Sequence, residues 1–202
     1  MAFRATLDSI PKAERDGWLD RIFELRALPL DGPELPRGCV PYLPCPVEPL
    51  LRIIELADIQ SSDVFVDIGS GLGRALLLTH FLTGAEALGI EIQSALVRRS
   101  CELAASLNAE RVSVTEGDAV ALAHTLAIGS VFFLYCPFSG SRLDRVLAAI
   151  AALAKTRSVR VCSVDLPLPP CPWLAPVSLS DDIAVYRSRP GAGQAEPRTC
   201  LR

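Results

Sequence analysis

The 202-residue chain has no uninterrupted apolar run long enough to cross a bilayer. Its most membrane-like stretch, residues 119–135, is broken by His124, Thr125, Gly129 and Ser130, whereas a span takes about 18 clean apolar residues. There is no apolar core of a secretory signal either: the N-terminus turns charged at Lys12, Glu14, Arg15 and Asp16, and a cytoplasmic location is the expectation. Basic excess is also missing. A net charge of −3, with lysine only at Lys12 and Lys155, supplies no concentrated positive face for phosphates, which disfavours nucleic acid as a partner. Seven cysteines are present but none forms a CxxC pair, and the Cys39/Cys45 and Cys162/Cys171 spacings match no common zinc pattern. Reduced, mostly buried thiols and no metal are expected. No internal repeat is seen, and nothing in the sequence speaks to an oligomeric state.

What is present is apolar material. Half of the residues are hydrophobic and 21% are charged, enough to build a core and to exclude wholesale disorder. Residues 11–26 place Trp18, Leu19, Ile22, Phe23 and Leu25 at helical spacing, with Ser9 and Pro11 as a start signal. Eight prolines and glycines in residues 27–46 read as an extended connector, and residues 47–56 as a second amphipathic helix. From residue 64 onward short apolar strands alternate with helices: strands at 64–66, 87–90, 112–115, 131–135, 159–164 and 183–187, helices at 74–82, 94–107 and 141–154. Such alternation predicts right-handed crossovers and a mainly parallel sheet covered by helices on both faces, an α/β, Rossmann-like class with an N-terminal helical extension. The expected organisation is an N-terminal helix and proline-rich lid over 1–46, the sheet domain over 47–188 and a frayed tail over 189–202. Pro167, Pro169, Pro170, Pro172 and Pro176 predict an irregular loop before the last strand.

Chemistry concentrates at strand ends. Asp67-Ile68-Gly69-Ser70-Gly71-Leu72-Gly73-Arg74 follows the first sheet strand and opens a helix, the place where open α/β sheets hold ligands. Glycine there lets the backbone turn and approach a ligand, and the helix start offers unpaired amides. Asp67 and Arg74 both argue against a nicotinamide dinucleotide, because that fingerprint wants a third small residue where Arg74 stands. Glu91 ends the next strand about 20 residues beyond the glycines, placed to accept both hydroxyls of a ribose. Glu116-Gly117-Asp118-Ala119 ends the third, where Asp118 can accept an exocyclic amino group such as adenine N6. The bland alternative makes Asp67 a helix cap and Glu91 a solvated charge.

This set resembles the class I S-adenosylmethionine-dependent methyltransferases over residues 47–187, and is similar to the small bacterial relatives of the non-SET histone-lysine methyltransferases. The resemblance implies S-adenosylmethionine as cofactor, with Asp67, Gly69, Ser70, Gly71 and Gly73 around its methionine moiety, Glu91 on the ribose, and Asp118 with the Ala119 amide at the adenine. Tyr135-Cys136-Pro137-Phe138 looks like a relative of the Asn-Pro-Pro-Phe motif that orients amino acceptors, with Cys136 where an amide would stand. Tyr135 and Phe138 are the acceptor-side candidates. Tyr135 serves there either as an orienting hydroxyl or as a base with a depressed pKa; the alternative is that both rings are packing and Cys136 a small apolar filler. Tyr42, within Pro41-Tyr42-Leu43-Pro44-Cys45-Pro46, lies over the cofactor in similar methyltransferases, against the plainer reading of a stiff linker. His80 and His124 have no partners at metal spacing and read as packed or solvated. The implied acceptor is a small molecule or a protein side chain. A catalytically lapsed cofactor-binding module and a nucleic-acid methyltransferase are the rival classes.

Overall fold

The structure is a computed structural model and describes residues 2–25, 35–122 and 127–189. His124, most of the expected tail and part of the proline-rich connector lie outside them.

Hydrophobic periodicity accounts for most elements. In chain order they are helices α1 (Ala2–Ser9) and α2 (Arg15–Ile22), α3 (Val47–Leu56), strand β1 (Val64–Ile68), α4 (Arg74–Thr83), β2 (Glu86–Glu91), α5 (Ser94–Ser106), β3 (Val112–Glu116), β4 (Val131–Tyr135), α6 (Ser141–Ala154), β5 (Arg160–Val164), β6 (Leu174–Leu179) and β7 (Ile183–Ser188). The seven strands form one sheet in the order β3-β2-β1-β4-β5-β7-β6. The first five are mutually parallel, and β7 and β6 add an antiparallel hairpin at the edge. Because β2 and β3 are laid to one side of β1 and β4 and β5 to the other, the order reverses between β1 and β4. A crevice therefore opens at their C-terminal ends.

Strand side chains alternate between two cores, as a period of two requires. Phe65 and Phe133 face the layer that holds α3, α4 and α5, whereas Val66, Phe132 and Leu134 face α6. Helix α6 lays Leu143, Val146, Leu147, Ile150 and Ala154 on the sheet at i, i+3, i+4 spacing. Each such large side chain, fully buried, contributes roughly 1.5–3 kcal/mol. Helix α4 is buried on nearly all sides through Leu76, Leu77 and Leu78, because it lies between the sheet and the N-terminal helices. Leu7, Leu19 and Phe23 belong to that same core.

Two expectations are corrected. The helix expected at residues 11–26 is shorter: Pro11 starts a 3-10 turn at Lys12–Glu14, α2 ends at Ile22, and an additional helix α1 precedes them. Its apolar Phe3 and Leu7 are too few to show a period by themselves; Phe3 is held by Trp18, Phe23 and Phe81. The loop expected before the last strand contains β6. Pro176 is tolerated there because β6 is an edge strand with a register shift at Pro176/Ser178. Among the described residues no helix is long and apolar enough to cross a membrane, and no group of His, Cys, Asp or Glu is placed to hold a metal ion.

Candidate active site

The glycine loop begins where β1 ends. The amides of Gly69 and Ser70 donate to the Ile90 carbonyl at 2.8 and 3.1 Å, which turns the chain across the end of β2. Gly69 and Gly71 have φ of 84° and 53°, in the left-handed region. Space demands glycine as well: a Cβ on Gly69 would come within 2.8 Å of the Pro137 Cβ, and one on Gly71 would run into the Tyr42 ring. Gly73, also left-handed, caps α4.

Glu91 is buried, and both of its oxygens are fixed by backbone amides. Oε2 accepts the N–H of Gly71 and Oε1 the N–H of Gln93, each at 2.8 Å. Each oxygen keeps a further lone pair, so the carboxylate can still accept a hydroxyl. Asp67 lies deeper; desolvation, with Glu91 nearby, pushes its carboxyl up to about 8. Asp118 accepts the Val120 N–H through Oδ1 at 2.9 Å and pairs with Arg142 through Oδ2 at 2.5 Å.

Over the crevice, the proline-rich segment is stitched to the residues after β4. Cys39 bridges Phe138, the Val40 N–H donates to the Pro137 carbonyl at 3.3 Å, and the Ser139 N–H to the Gly38 carbonyl at 3.2 Å. Beneath it lies a cavity of about 70 Å³, whose wall includes Tyr42, Gly69, Glu91, Asp118, Tyr135 and Phe138.

No family model matches the chain. Over 80 residues it is 36% identical to the ATP synthase C-subunit lysine N-methyltransferase of Caenorhabditis elegans, a match spanning less than half of either protein, 37% of this chain and 42% of that one. Among solved structures, an RNA methyltransferase from Salinibacter ruber in complex with S-adenosyl-L-homocysteine is 26% identical with a TM-score of 0.60, covering 79% of this chain and 100% of that one. The chain has the fold of the class I S-adenosylmethionine-dependent methyltransferases. A precorrin-6y C5,15-methyltransferase from Geobacter metallireducens, 14% identical with a TM-score of 0.52 over 71% of this chain and 88% of that one, shares the fold.

The residues present fit S-adenosylmethionine by their chemistry. Glu91 and Asp118 on the cavity wall are acceptors suited to ribose hydroxyls and an amino-bearing base, and Gly69 beside them presents backbone without a side chain. Of the sequence-predicted site, Tyr42, Gly69, Glu91, Asp118, Ala119, Tyr135 and Phe138 share the cavity wall. Asp67, Ser70, Gly71 and Gly73 do not: Asp67 and Ser70 are buried behind the loop, and the Tyr42 ring covers Gly71. Burial raises the Tyr135 hydroxyl above its ordinary value, the opposite of what a base requires. Nor is Cys136 a mere filler. With φ of 43°, it donates its thiol to the Asp165 carbonyl at 2.9 Å and ties the end of β4 to the end of β5. His80 is a packed histidine, its Nδ1 2.9 Å from the Ala85 carbonyl. Sequence reading missed Arg142, Cys39 and Gln93 on the cavity wall. An arginine in a helix's first turn carries no local signal that it will reach across a crevice.

Proposed function

We propose that this chain is an S-adenosylmethionine-dependent methyltransferase that acts on the side-chain amine of a lysine in a protein partner. The observation that carries the reading is the character of the crevice end beside β4. Tyr135, Pro137 and Phe138 wall it, Val40 and Leu43 roof it, and Arg142, paired with Asp118, is the one cation on the cavity wall among the described residues. An ammonium entering such a place loses water, which lowers its pKa and favours the neutral amine that attacks. S-adenosylmethionine, when bound, supplies a sulfonium methyl open to in-line displacement. Glu91 and Asp118 would hold its nucleoside, the glycine loop would meet its methionine end with Asp67 behind, and Tyr42 would lie over it. Tyr135 would orient the acceptor through a protonated hydroxyl, and Phe138 would exclude water. No protein nucleophile is needed, since alignment supplies most of the acceleration.

Similarity to a lysine methyltransferase over 80 residues supports this acceptor, as does a net charge of −3 that repels polyphosphates. A second reading, an RNA acceptor, is favoured by the Salinibacter ruber neighbour. Radiolabelled S-adenosylmethionine, incubated with the enzyme and a native lysate, separates them. The expected result is label in protein, recovered as methyllysine after hydrolysis. Nuclease-sensitive label would move the assignment to RNA, and label in the metabolite fraction to a small molecule. Tight cofactor binding with no transfer to any fraction would make the chain a lapsed binding module.

A further inference from the structure

We infer that Arg142 is a positioning residue that sets base selectivity, holding the Asp118 carboxylate ready for an N–H donor. The inference rests on Asp118 as the acceptor of the adenine amino group and adds the device that makes it selective.

Asp118 sits on the turn after β3, and each of its oxygens already has a partner. Oδ1 accepts the Val120 N–H at 2.9 Å, and Oδ2 forms an ion pair with Nη2 of Arg142 at 2.5 Å. The hydrogen bond fixes the carboxylate to its own turn, and the ion pair holds the other oxygen from across the crevice. Arg142 comes from the first turn of α6, and its guanidinium lies 6.0 Å from the centre of the Phe138 ring. Its stem passes 3.9 Å from where a Cβ on Gly38 would stand, so the roof segment also confines it. Its side chain is only 18% exposed, and its Nε is buried without a hydrogen-bond partner among the described residues. The core of α6 consists of Leu143, Val146, Leu147 and Ile150, and has no need of a cation at this end.

A guanidinium confined between the Phe138 ring and the roof keeps its charge in one place against Oδ2, as an ammonium on a flexible stem cannot. With both oxygens held, their free lone pairs keep their directions, and two anionic acceptors meet whatever base edge enters. Adenine offers an amino N–H there. Hypoxanthine puts a carbonyl oxygen at that position and moves its edge N–H to N1, so the carboxylate oxygen facing position 6 loses its donor and meets like charge.

The test is calorimetric binding of S-adenosyl-L-homocysteine and its deaminated analogue S-inosyl-L-homocysteine to wild type, Asp118→Asn, Arg142→Gln and Arg142→Lys, each checked for a cooperative melt. Wild type is expected to prefer the adenosyl compound by about 10- to 100-fold, the scale of a hydrogen bond to a charged group. Arg142→Gln should reduce that preference to less than about threefold, with Arg142→Lys intermediate because charge remains on a more mobile stem. A wild-type preference in Arg142→Gln overturns the positioning role. Should that variant not fold, a full preference in Arg142→Lys overturns it equally. If wild type binds both compounds alike, or Asp118→Asn keeps the wild-type preference, the adenine reading of Asp118 itself fails and takes the inference with it.

Discussion

At the scale of single residues, the carboxylates of the crevice differ in what burial does to them. Asp67 is pushed up to about 8, mainly by desolvation. A carboxyl whose folded pKa lies above its unfolded value contributes stability that is complete below the unfolded value and is lost as pH rises through the folded one. Wild type should therefore weaken between about pH 4 and pH 9, and Asp67→Asn should not. Urea unfolding at pH 5, 7 and 9 checks this: the variant gains on wild type with each step, on the order of a few kcal/mol by pH 9. Glu91 is placed for two duties at once. Because its oxygens take the buried amides of Gly71 and Gln93, Glu91→Ala orphans both donors and removes the proposed ribose acceptor. Calorimetry should show cofactor affinity falling by roughly 1.5–3 kcal/mol, and unfolding a stability loss of about 1–3 kcal/mol for each donor left buried.

At the scale of elements, two long-range contacts hold the N-terminal region to the glycine loop and its helix. Arg74, buried at the start of α4, donates to the Cys45 carbonyl at 3.1 Å and pairs with Asp16 and Asp20 at 2.7 and 3.2 Å. Asp16 also accepts the first amide of α3, from Val47, at 3.0 Å. Asp16→Ala removes one of the two carboxylates on the buried guanidinium and opens the helix start, and should cost about 1–2 kcal/mol in denaturant unfolding. The second contact is the Tyr42 ring against Gly71. Gly71→Ala adds a methyl group where that ring lies and forces a left-handed φ on a residue with a Cβ, for a loss of about 2 kcal/mol or more. Tyr42→Ala in the same chain should recover the steric share but not the backbone share, a coupling that a double-mutant cycle measures.

At the scale of the whole molecule, the sheet order decides where a ligand can sit, and the N-terminal helices complete the layer over α4 by adding Leu7, Leu19 and Phe23 to the core. Binding to the native state alone raises its stability, so S-adenosyl-L-homocysteine at about 100 times its dissociation constant should add about 2.7 kcal/mol and shift the melt upward. Much of this architecture was legible in the residues. The helix at Val47–Leu56, the strand at Val131–Tyr135 and the helix at Ser141–Ala154 follow from apolar periods of 3.6 and 2, and acids at the ends of three strands mark the crevice rim. Helix α1 and strand β6 were not legible: the first is held by aromatic contacts with distant elements, the second by pairing with β7 at a sheet edge that tolerates Pro176. Periodicity and turn chemistry act over a few residues, and these alone determined the fold class, the glycine loop and the placing of Glu91 and Asp118. Whatever depends on which distant surfaces meet was decided by the tertiary structure. Packing, which local sequence does not encode, brought Arg142 to Asp118, the Tyr42 ring to Gly71 and Arg74 to Asp16 across 58 residues, and it buried Asp67 deeply enough to push its carboxyl pKa up.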